Sequence, residues 1–177
     1  MTHPVSTYND DLRLAHVLAD SVDAQTMDRF KALDLQIETK PDLTPVTDAD
    51  KAAEEAIRGQ LSRSRPRDAV LGEEFGSSGH GSRRWIIDPH RRDQELCPRC
   101  PGVGNVDRLV DEGEPVVGVV SAPALGKRWW AAKDMGAYMG RSLASATRLK
   151  VSNVSRLADA SMSYSSLSGV EGTRQPG

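Results

Sequence analysis

The stretch Ala69-Val70-Leu71-Gly72-Glu73-Glu74, echoed a little later by Trp85-Ile86-Ile87-Asp88-Pro89, decides the fold class of this chain. Each is a short apolar run that stops at a turn or a charged residue. Runs this short and continuous suit strands buried on both faces, and the acids at their ends fall at one edge of the sheet that such strands build. Toward the N-terminus, Leu33, Leu35 and Ile37 alternate with Asp34, Gln36 and Glu38, the period of a half-buried strand that ends at Lys40-Pro41. Helices flank that strand. Leu14, Val17, Leu18 and Val22 fall at helical spacing behind Asp10 and Asp11, which predicts an amphipathic helix over about residues 11–31. Thr47 followed by Asp50 has the spacing of a capping box, and Ala52, Ala53, Ala56, Ile57 and Leu61 continue as a second helix over about 48–62. Toward the C-terminus, strands are expected at Pro115–Ser121 and around Arg128–Ala132, with Gly136 and Gly140 as turn punctuation. Helices and strands mixed in this order predict an α/β fold.

Bulk properties narrow the function. The 177 residues suffice for one domain, and 38% hydrophobic with 27% charged residues is ordinary globular composition. With 23 basic against 25 acidic residues and no block of Lys and Arg, a nucleic-acid partner is not expected. No apolar run approaches the roughly 20 residues that cross a bilayer, and Met1–Asp10 has neither the basic start nor the apolar stretch of a signal peptide. A cytoplasmic protein is therefore expected, and Cys97 and Cys100, too close together to staple distant parts of a fold, agree with a reducing compartment.

Asp50, Glu73 and Asp88 stand at a helix start or just past a strand, where short loops bring them within reach of one another. Hard cations such as Mg²⁺ take oxygen ligands, and two-metal sites for phosphomonoester hydrolysis need several carboxylates on rigid supports. Capping and solvation put acids in the same places, so this pattern alone leaves both readings open. Other motifs are weaker. Cys97-Pro98-Arg99-Cys100 lacks the second ligand pair a zinc site needs, and Gly102-Val103-Gly104 lacks the third glycine of a dinucleotide fingerprint. Arg63, Arg65 and Arg67 read as a solvated loop, and His16 and His80 as structural or solvated residues without partners. One of Trp129 and Trp130 belongs to the core and the other to the surface, by strand alternation.

Three motifs in register carry a resemblance: Asp42-Leu43-Thr44-Pro45-Val46-Thr47-Asp48-Ala49-Asp50, Leu71-Gly72-Glu73-Glu74-Phe75-Gly76 and Trp85-Ile86-Ile87-Asp88-Pro89. It resumes at Gly113–Pro123, Trp129–Ala132 and Ser165–Gly169. In these segments the chain resembles the inositol monophosphatase superfamily, in wording nearest to its bacterial histidinol-phosphate phosphatases. The resemblance implies the N-terminal part of a layered α/β/α/β/α sandwich over residues 1–169, with the C-terminal half absent. It implies Mg²⁺-dependent hydrolysis of a small phosphomonoester: histidinol phosphate, as in histidine biosynthesis, or inositol phosphate or another small phosphate. It implies Glu73 and Asp88 as metal ligands, Asp50 serving a further metal or its water, the backbone carbonyl of His90 as a ligand, and the dimer common in the superfamily.

The chain departs from the family where its third motif continues with Ile-Asp-Gly-Thr. His90, Arg91, Arg92 and Asp93 stand there instead, and a cation in place of a ligating acid sets like charge against Mg²⁺. His90 to Arg108 can be back-translated so that reading one base later gives Ile-Asp-Gly-Thr-Lys-Asn-Phe-Ala-Arg-Gly-Val-Pro-Val-Trp-Ala-Thr-Leu-Ile, the missing family segment. The same shift over Val170 to Gly177 gives Trp-Lys-Glu-Arg-Gly-Asn-Pro. Two frame disturbances are therefore expected: an insert at 90–108 and an out-of-frame tail at 170–177. They make an impaired enzyme, or a non-enzymatic remnant able to form mixed oligomers, the rivals to an active phosphatase; a small CxxC metal module is the third reading.

Overall fold

The computed structural model describes residues 7–30, 37–39, 45–88 and 106–161. Two helices and ten strands occur among them: α1 (Asn9–Phe30), β1 (Ile37–Thr39), β2 (Pro45–Thr47), α2 (Asp48–Ser64), β3 (Ala69–Gly72), β4 (Gly76–Ser78), β5 (Arg83–Asp88), β6 (Val106–Asp111), β7 (Glu114–Ala122), β8 (Lys127–Ala132), β9 (Gly136–Gly140) and β10 (Thr147–Leu149). β1 and β2 form a small antiparallel pair, and the other eight strands make one sheet in the order β10-β9-β8-β7-β6-β5-β3-β4. Neighbours in the sheet run antiparallel except β3 and β5, which are parallel. The mixed α/β architecture matches the sequence expectation.

Local chemistry explains the elements. Asp10 and Asp11 sit in the first turn of α1, where the helix dipole favours acids. Between β6 and β7 the chain reverses through Glu112 (φ 50°) and Gly113 (φ 86°), two successive left-handed residues as a tight hairpin requires. Strand alternation then fixes the inner face: Leu109, Val117, Val119, Trp130 and Ala132 are buried together with Trp85 and Ile87, against Leu12, Ala15, Leu18, Ala19 and Val22 of α1 and Ala53, Ile57 and Leu61 of α2. The inner surface of α1 is not quite the face anticipated. Val17 is exposed, and His16 and Asp11 take places in the buried arc, because the helix presents the positions flanking Leu18 to the sheet.

Ion pairs pin the helices to the sheet. Asp11 of α1 binds Arg65 at 2.8 Å and Arg83 of β5 at 2.9 Å, while Asp68 accepts the Trp85 indole N–H at 3.0 Å and also faces Arg83. Arg65 is therefore a structural clamp and not part of a solvated loop. At the other end of α1, the buried Arg128 of β8 binds Asp20 at 2.8 Å and Asp23 at 2.6 Å, and its Nη1 lies 3.2 Å from His16 Nδ1. His16, expected to have no partner, is packed edge-on against Trp130 with ring centroids 4.7 Å apart. Burial first, and then the nearby Arg128 charge, lowers its pKa to about 4, so it is neutral at pH 7. Trp130 is the core member of the tryptophan pair and Trp129 is half-buried, as alternation predicts. Gly136 does mark a turn, at φ 83°, but Gly136 and Gly140 are the first and last residues of β9 and not loop residues. His80 is exposed. Among the described residues, no helix is long and apolar enough to cross a membrane.

Candidate functional site

The parallel pair β3 and β5 organises the candidate acids. Parallel strands end at the same edge of a sheet, and here Leu71 pairs with Ile86 and Gly72 with Ile87. Glu73 is the first residue beyond β3 and Asp88 is the last residue of β5. One register step past Gly72 and Ile87, the two acids thus leave the sheet at adjacent positions on one edge. Glu73 lies in an exposed turn leading to β4. Asp50 is the third residue of α2, on the first turn of that helix.

The side chains of Asp50 and Asp88, and the whole of His90, lie outside the described residues, as do Asp93, the Cys97–Cys100 pair and Gly102-Val103-Gly104. Among the described residues no group of three or more His, Cys, Asp and Glu side chains is gathered for a metal ion.

One turn of helix beyond Asp50, the structure places an acid that the sequence reading missed. Glu54 is fully buried, with 0% of its surface exposed. Its carboxylate accepts the backbone N–H of Glu74 at 2.7 Å and of Phe75 at 3.1 Å, and pairs with Arg58 Nε at 2.8 Å. Arg58 in turn donates to Ser78 Oγ at 2.8 Å and to the carbonyl of Gly76, so helix α2 grips both the turn and the outer strand of the β3–β4 hairpin. A buried carboxylate is stable when its oxygens are saturated this way, because charge-assisted bonds replace the lost water. The grip needs Gly72. A Cβ there would stand 2.0 Å from Glu54 Oε1 and 2.3 Å from its Cδ, an overlap that only glycine avoids.

A signal for Glu54 was present in the sequence. It lies beside Ala53 at the margin of the arc formed by Ala53, Ile57 and Leu61, and Arg58 follows four residues later with the opposite charge. An acid at the edge of an apolar stripe ordinarily reads as solvated, and only the tertiary contact with the hairpin distinguishes it.

The comparisons with known proteins bear on the same segment. A family model described as the inositol monophosphatase family matches residues 10–89. Histidinol-phosphatase of Streptomyces coelicolor is 64% identical over 168 residues, covering 93% of this chain and 63% of that protein. Histidinol-phosphatase of Mycobacterium tuberculosis is 52% identical over 162 residues, covering 91% of this chain and 62% of that protein. Among solved structures, the extragenic suppressor protein suhB from Bartonella henselae superimposes with a TM-score of 0.72 at 25% identity, covering 84% of this chain and 57% of that one. The chain therefore spans less than two thirds of the length of these relatives.

Proposed function

We propose that this chain, which through residues 10–89 belongs to the inositol monophosphatase family, is part of a Mg²⁺-dependent phosphomonoester hydrolase acting on histidinol phosphate. The observation that carries the reading is the adjacency of Glu73 and Asp88 at one edge of the parallel β3–β5 pair, inside two of the motifs that resemble the family. The 64% identity to a histidinol-phosphatase favours that substrate over inositol phosphate. The donor set fits the metal: Glu73 and Asp88 offer hard carboxylate oxygens on rigid strand ends, with Asp50 on the neighbouring helix and the His90 carbonyl as further oxygen donors. Bound there, Mg²⁺ supplies positive charge to the phosphate oxygens and acidifies a water. The carboxylates of this chain hold the ion, and the hairpin turn fixes the place of Glu73.

Activity of the chain as written is impaired on this reading, for two reasons. Arg91 occupies the position of a family acid. In addition, Asp107 is fully buried on the inner face of β6, with Ile87 and Val119 as its cross-strand neighbours. That position suits an apolar residue, and the shifted reading frame of 90–108 gives Ile there. Both facts support a frame disturbance in the coding sequence.

The test is Mn²⁺ binding followed by electron paramagnetic resonance, with Mn²⁺ standing in for Mg²⁺, paired with phosphate release from histidinol phosphate and inositol phosphate. Rewriting 90–108 in the shifted frame is expected to tighten Mn²⁺ binding by an order of magnitude or more, and Glu73→Gln or Asp88→Asn to abolish the gain. Unchanged binding in both variants overturns the site. Tight Mn²⁺ binding without phosphate release from either substrate reduces the reading to a non-enzymatic member of the family.

A further inference from the structure

We infer that Glu54 is a positioning residue for the metal site: it holds the Glu73 turn in place from beneath, and so sets metal affinity without itself touching the ion. The inference rests on the phosphatase reading of Glu73. Its carboxylate is wholly committed elsewhere, to the N–H groups of Glu74 and Phe75 and to Arg58, and it is completely buried. Both oxygens are engaged, Oε1 twice and Oε2 once, and a group with 0% of its surface exposed has no open side from which a hydrated cation could reach it.

The geometry points to one task. Glu73 lies between Gly72, whose missing Cβ leaves the space that the Glu54 carboxylate fills, and Glu74, whose N–H that carboxylate binds. The peptide units on both sides of Glu73 are thus referenced to a single buried side chain. Asp50 is four residues ahead of Glu54 on the same helix, one turn away along the same face. Through Glu54, α2 therefore fixes the spacing between its own first turn and the turn that carries Glu73. Arg58 completes the support by tying the far side of the hairpin, Gly76 and Ser78, to the same helix. Two acids on different elements become a rigid pair only if something couples the elements, and here one carboxylate does so. Partners behind a ligand commonly govern metal affinity in this way.

The experiment compares Mn²⁺ affinity in the chain rewritten at 90–108 with the same chain carrying Glu54→Gln, Glu73→Gln or both changes, well below each melting temperature. Glu54→Gln keeps the shape but loses the charge that grips two N–H groups and Arg58. It is expected to weaken Mn²⁺ binding about tenfold or more. In the Glu73→Gln background the same change is expected to have no further effect, because Glu54 acts through Glu73; a residue that acts on the metal independently of Glu73 gives additive losses instead, and one that merely stabilises the fold gives none. Amide hydrogen exchange at Glu74 and Phe75 is expected to accelerate in Glu54→Gln.

Should Glu54→Gln fail to fold, Arg58→Met loosens the same carboxylate from one side and is expected to weaken Mn²⁺ binding by a smaller factor. Unchanged affinity in a folded Glu54→Gln or Arg58→Met chain, or full additivity with Glu73→Gln, overturns the inference and leaves the phosphatase reading standing. A chain rewritten at 90–108 that takes up no Mn²⁺ at all overturns both.

Discussion

Two of the corners at which a helix is tied to the sheet by buried charge are built on opposite signs. Where α1 meets β8, a buried cation, Arg128, gathers the side chains of Asp20, Asp23, Ser121 and His16 around itself, together with the backbone carbonyl of His16 at 3.4 Å. Where α2 meets the β3–β4 hairpin, a buried anion, Glu54, spends two of its three bonds on backbone N–H groups of a turn. The first arrangement fastens one element to another and touches main chain at a single carbonyl inside α1, whose path the helix already sets. The second dictates the path of the backbone on either side of Glu73. Charge of either sign fastens a fold, but only the second corner holds the main chain of a turn, the one that carries Glu73.

The sharpest way to break this comparison is Arg128→Ala. It strands the shielded Asp23 carboxylate, Asp20 being largely exposed, and is expected to cost about 3 kcal/mol in urea denaturation, with Mn²⁺ affinity unchanged below the transition. Loss of metal binding from that corner would make the two corners equivalent. Gly72→Ala is next: the added methyl overlaps the Glu54 carboxylate and is expected to cost about 2–3 kcal/mol and to reproduce the Mn²⁺ defect of Glu54→Gln.

The pH dependence sharpens the Arg128 corner alone. The folded pKa of His16, about 4, lies below its ordinary value of 6.5, so the unfolded chain binds more protons across that interval. Stability is therefore complete above about pH 6.5 and falls as the pH drops toward 4, by on the order of 2 kcal/mol. His16→Gln is expected to flatten that part of the pH curve of the melting temperature, whereas Glu54→Gln is not.

Much of this was legible in the sequence because it is periodic. The apolar runs before Glu73 and Asp88 marked β3 and β5, strands were expected where β7 and β8 stand, and helical spacing marked α1 and α2 to within a few residues. The small strands β4, β9 and β10 were not foreseen, since segments of three to five residues are too short to show a hydrophobic period. Neither was the parallel pairing of β3 with β5, which a sheet settles among all its strands at once. Glu54, Arg128 and the Asp11 clamp escaped for another reason. A charged residue on an amphipathic element looks alike whether it faces water or a partner a hundred residues away, as Asp23 and Arg128 stand to one another.

Gly72 leaves a different kind of trace. Every change at the first two bases of a glycine codon adds a side chain or a stop, so a gene that must keep Glu54 beneath its hairpin can drift at this codon only in the third base. Gly118, with nothing within 4 Å of where its Cβ would be, is under no such restriction from its neighbours. In a library of random clones selected for metal binding, position 72 should stay silent while position 118 fills with other amino acids.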